Sequence, residues 1–111
     1  MKPLMYGYMR LHGDEPDNDI RQMELVLKDC AEAEGYCFAT IFHEYDSGSH
    51  AAFDELVEKL KRAEAHHVIV PTLDHLSRHP LLRINMLTRL QFEAQAQVLA
   101  LGDSQWKTWT S

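Results

Sequence analysis

The sequence predicts an α/β domain: three layers, α/β/α, built around a mainly parallel sheet of four or five strands. Three observations predict it. Short apolar runs alternate with longer segments whose apolar residues recur at every third or fourth position, the pattern of strands alternating with amphipathic helices. The strand-like runs are apolar almost throughout, as strands covered on both faces are. The length, 111 residues, suits one domain with one core.

Each element follows in order. Leu4-Met5-Tyr6-Gly7-Tyr8-Met9 is apolar and aromatic and reads as a buried first strand. The loop from His12 to Asp19 carries the Asp, Asn and Pro that begin helices. Ile20, Met23, Leu27, Cys30 and Ala31 then share one stripe, which predicts a helix over 19–34 with Gly35 as its stop. Tyr36 to Phe42 is a second strand, and Glu44 to Ser49 a turn. Phe53, Leu56, Val57, Leu60 and Ala63 predict a helix over 50–64, and Val68-Ile69-Val70 a third strand ended by Pro71. Ser77 to Pro80 opens another helix, with Pro near its first position, running to residue 95. Its apolar residues, including Met86, Leu87, Leu90 and Phe92, face more than one way. Val98-Leu99-Ala100-Leu101 is the fourth strand. Alternating strands and helices imply right-handed crossovers and helices on both faces. The expected domain spans 1–103, and 104–111 forms a tail. Its Trp106 and Trp109 either cover the domain's own core or mark a partner surface.

Composition narrows the function classes. Eleven Lys and Arg against 17 Asp and Glu give 11 − 17 = −6. That balance argues against autonomous DNA binding, whose affinity comes largely from Lys and Arg meeting phosphates. Two Cys build no disulfide scaffold, so a reduced, cytoplasmic home is expected, with Cys30 and Cys37 read as buried small apolar side chains. No apolar run approaches the roughly 20 residues that cross a bilayer, and the first residues do not read as a signal peptide.

Chemistry in an open parallel sheet belongs beyond the carboxyl ends of its strands. Here those ends carry Arg10, His12 and Asp14; Glu44, Asp46, Ser47 and Ser49; Thr72, Asp74, His75 and Arg78; and Asp103. There is no phosphate-binding Gly-rich loop ending in Gly-Lys-Ser/Thr, no Gly-x-Gly-x-x-Gly and no Gly-x-Ser-x-Gly elbow. A receiver-like reading on Asp14 and Asp74 lacks one β-α unit. Seven His raise a metal reading on His12, His75 and His79, but surface His with ordinary titration explain them as well. No metal and no cofactor is therefore expected.

Four motifs in order resemble the serine recombinases, the resolvase and invertase family. Tyr6-Gly7-Tyr8-Met9-Arg10 resembles its opening strand, and Asp19-Ile20-Arg21-Gln22 the start of its first helix. Asp46-Ser47-Gly48-Ser49 resembles its Ser-Gly turn, and Leu73-Asp74-His75-Leu76-Ser77-Arg78 its Leu-Asp-Arg-Leu-x-Arg signature. The match covers residues 4–102 and implies a resolvase-like fold and a DNA strand-exchange ancestry. By the same resemblance the remnant site is Tyr8, Arg10, His12, Ser47, Asp74, His75 and Arg78.

The departures are chemical. His12 stands where the resemblance implies the nucleophilic Ser, and His75 where it implies an Arg that binds the scissile phosphate. The Arg implied after the Ser-Gly turn has no counterpart in His50-Ala51-Ala52-Phe53. The long dimerising helix and the DNA-binding module implied by the family are not encoded either. The reading is a catalytically inactive relative kept as a protein-interaction or regulatory module, with a protein partner or a homodimer. Two alternatives stay open: residual DNA cleavage or another hydrolysis using His12 as nucleophile, and a small-ligand or metal sensor at the same rim.

Overall fold

The computed structural model describes residues 2–11, 13–45, 50–77 and 79–101. Among them, strands and helices alternate: β1 (Leu4–Arg10), α1 (Asp17–Ala33), β2 (Cys37–Glu44), α2 (Ala51–Ala63), β3 (His67–Val70), α3 (Pro80–Glu93) and β4 (Gln97–Ala100). The four described strands form one all-parallel sheet in the order β2-β1-β3-β4. That is the lower strand number of the sequence expectation, and the predicted elements hold to within a few residues.

Side-chain alternation along β1 divides the core. Met5, Met9 and Leu11 face α1, where they meet Leu27, Ala31 and Ile69. Tyr6 and Tyr8 face the other way, into a larger core with Val68 and Val70 of β3, Phe53, Leu56 and Leu60 of α2, and Met86 and Leu90 of α3. One helix therefore covers one face and two cover the other.

Gly7 is a packing glycine. The β1–β2 register slips between Met5 and Gly7, and a Cβ added there meets Ile41 Cγ1 at 3.0 Å and Phe38 Cζ at 3.1 Å. Gly35, at φ +92°, ends α1 in a conformation that L side chains rarely adopt.

Three expectations are corrected. Glu44 is not the first residue of a turn but the buried last residue of β2. Cys37 is exposed, because it opens an edge strand, while Cys30 is half-buried. A single 3-10 turn, Leu73–His75, precedes α3. No described helix is long and apolar enough to cross a membrane.

Candidate functional site

The carboxyl ends of β1, β2 and β3 bring four side chains into one connected cluster. Tyr8 is fully buried, its ring edge-on to Phe53 at 5.7 Å. Its hydroxyl donates to Glu44 Oε1 (3.3 Å) and accepts from Arg10 Nη2 (3.2 Å). Burial raises the phenol's pKa far above its ordinary value; the Arg10 charge opposes this and the Glu44 charge adds to it. Tyr8 is therefore a proton donor throughout the physiological range, not a nucleophile.

Glu44, 3% exposed, has a second task. Its Oε1 also accepts the main-chain N–H groups of Ala52 (3.1 Å) and Phe53 (3.2 Å). Both lie in the first turn of α2, whose N-cap residue His50 makes no capping bond of its own. A carboxylate reaching from β2 thus satisfies two donors that a helix start leaves open, at the positive end of the helix dipole.

His75 closes the cluster from the 73–75 turn. Its Nδ1 accepts the main-chain N–H of Arg10 at 3.1 Å. An accepting Nδ1 carries no proton, so this geometry assigns the ring hydrogen to Nε2. The Arg10 guanidinium completes the link, since Nη2 also donates to the carbonyl of Leu76 at 3.1 Å. Both hydrogens of Nη2 are thereby committed to the protein. Leu76 itself is fully buried.

Asp74 belongs elsewhere. It is largely exposed and pairs with Arg83 of α3 at 3.2 Å, tying the turn to the helix that follows. Ser77 Oγ accepts the N–H of His79 (3.1 Å) and sets the chain's approach to Pro80. The structure thus brings together Tyr8, Arg10 and His75, and adds Glu44, which the sequence placed on the rim but not in the site. A lone acidic residue closing an apolar strand was the available signal for it. His12, Ser47 and Arg78 lie outside the described residues.

An open groove of about 470 Å³ runs beside this cluster past Phe42, Glu44, Tyr45 and Ala52. Its acidic lining, Glu44 and Glu55, suits a phosphodiester poorly. Among the described residues, no three His, Cys, Asp or Glu side chains converge as a metal site.

Known structures share this architecture. The C-terminal catalytic domain of ISC1926 TnpA, an IS607-like serine recombinase, is 12% identical with a TM-score of 0.74, over 96% of this chain and 76% of that one. The N-terminal catalytic domain of TP901-1 integrase is 15% identical with a TM-score of 0.72, over 96% and 88%. A resolvase family site-specific recombinase from Streptococcus pneumoniae is 15% identical with a TM-score of 0.73, over 98% and 84%. The fold is resolvase-like. No protein-family model matches the sequence, and no curated protein matches it. Identities this low carry the resolvase-like fold alone.

Proposed function

We propose that this chain is a resolvase-like catalytic-domain scaffold that does not break DNA and serves as a protein-interaction module. The observation that carries the reading is the wiring of Arg10 and His75. Arg10 Nη2 is shared between the Tyr8 hydroxyl and the Leu76 carbonyl, and His75 accepts a main-chain N–H. Phosphoryl transfer needs an oriented nucleophile and cations aimed at the charge that builds on the phosphate. On this reading the cluster is a clasp that holds the ends of β1, β2 and the 73–75 turn together.

The substitutions support the same reading. His75 stands where the resemblance implies a guanidinium, and His50 to Phe53 supply none. A neutral imidazole does not reproduce a bidentate clamp. Each lost donor is worth roughly 100- to 1,000-fold, so two cost about four to six decades in rate. A net charge of −6 opposes approach to DNA as well.

The interaction face is assigned to α3. Leu81, Ile84 and Phe92 are 74%, 59% and 74% exposed and line one side of it. Two copies packed antiparallel set Leu81 of one against Phe92 of the other, the self-complementary contact of a two-fold dimer. The test of catalytic silence is incubation of the chain and of His12→Ala with supercoiled plasmid. Intact plasmid in both is expected; nicking by the parent chain that disappears in His12→Ala overturns the proposal.

A further inference from the structure

The two faces of the sheet are unequally covered. Four strands spaced about 4.8 Å apart make a sheet roughly 19 Å wide, and a helix with its side chains is about 10 Å across. Two helices therefore cover the α2/α3 face, whereas α1 alone covers about two strands of the other. A contact between Glu24 and His43 (2.6 Å) holds α1 toward β2. The β4 half of that face is left to Leu99 and Leu101, both only half-buried.

The flank of α1 that borders this strip is apolar. At about 100° per residue, Met23, Val26 and Cys30 lie on the side of α1 opposite Glu24. Val26 is 49% exposed there. The result is an apolar trough walled by α1 and floored by β4.

We propose that the segment 102–111 of this chain covers this trough, with Trp106 and Trp109 as its apolar anchors. Residues 102–111 lie outside the described residues, so the inference is drawn from the surface they adjoin. The chain leaves from Leu101, whose N–H is held by the Val70 carbonyl at 3.1 Å, at the end of the strip itself. Trp106 is five residues on, a reach of up to about 17 Å, against roughly 13 Å for the four residues of β4. An indole is large and amphipathic and so suits a half-wet apolar strip. Covalent attachment sets the local concentration near millimolar, which favours this occupant over a second copy or a foreign partner.

The sequence supplies its own probe, because Trp106 and Trp109 are its only tryptophans. Emission of the whole chain therefore reports this segment alone. The proposal expects native emission to lie to the blue of the urea-unfolded chain, to be shielded from acrylamide and to be unchanged by hundredfold dilution. Val26→Asp shifts that emission to the red, while Leu25→Asp, on the outer face of α1 and 58% exposed, does not. Both sites are half-exposed, so neither variant threatens the core, and far-ultraviolet circular dichroism verifies this. Native emission that matches the unfolded chain overturns the proposal. So does a blue shift that fades on dilution, which assigns the trough to a second copy, or an equal response of the two variants.

Discussion

Replacing Glu44 by Ala tests the clasp. In the native chain one carboxylate oxygen serves the Tyr8 hydroxyl and the N–H groups of Ala52 and Phe53. Losing a helix cap costs about 1 kcal/mol. Stranding a buried hydroxyl costs a further 1–3 kcal/mol or so. We expect Glu44→Ala to lose about 3–4 kcal/mol, a large share of the roughly 5–15 kcal/mol that a domain holds. In thermal unfolding that is a drop of roughly 10–15 °C. Glu44→Gln keeps an acceptor oxygen and loses the charge-assisted part, about 1–2 kcal/mol. Tyr8→Phe keeps the ring on Phe53 and loses about 1 kcal/mol. Because Tyr8→Phe and Glu44→Gln remove the same bond, their combination should cost less than their sum by about 1 kcal/mol. Urea titration of the four proteins measures all of this. A loss below about 1 kcal/mol in Glu44→Ala would refute the clasp, as would additivity of the other pair within about 0.5 kcal/mol.

Three further outcomes follow from the structure. Gly7→Ala should destabilise by about 1–3 kcal/mol, because its Cβ meets Ile41 and Phe38 at 3.0–3.1 Å in the sheet interior; a neutral effect in urea would contradict that packing. Burial, and then His66, hold His67 below its ordinary pKa of 6.5, and its Nδ1 is buried without a partner among the described residues. The unfolded chain therefore binds more protons below about 6.5: the stability is complete above that pH and lost as pH falls. His67→Gln should flatten the decline in urea midpoint between about pH 7 and 5. Phe92→Glu should weaken self-association in sedimentation experiments with the helix content unchanged, and an unaltered oligomeric state would remove α3 as the contact.

Much of the fold was legible because its signals are local. β1 is apolar on both faces because it is a central strand, and α1 and α2 carry clean apolar stripes. Pro80 marks the start of α3 by removing an N–H that a first turn leaves open. What stayed hidden depends on distance in the chain. Glu44 reads as a rim residue until α2 is seen to begin beside it. His75 reads as a lost catalytic Arg until its nitrogen meets the main chain of Arg10, 65 positions earlier. The left-handed residues Glu64 (φ 54°) and Gln95 (φ 52°) carry no glycine signal, because tertiary packing overrides their preference. Cys37 was misread because a small thiol suits a core, and sequence does not tell an edge strand from a central one.

The central claim is that the cluster's wiring, and not two side chains alone, separates this scaffold from a DNA-cutting one. The double variant His12→Ser with His75→Arg supplies the nucleophile and guanidinium that the resemblance implies. It leaves Arg10 Nη2 shared between Tyr8 and Leu76 and adds no cation to the His50–Phe53 stretch. Incubated with supercoiled plasmid, this variant should leave the DNA intact. Nicked or linear product from the folded variant, absent with His12→Ala, would contradict the account.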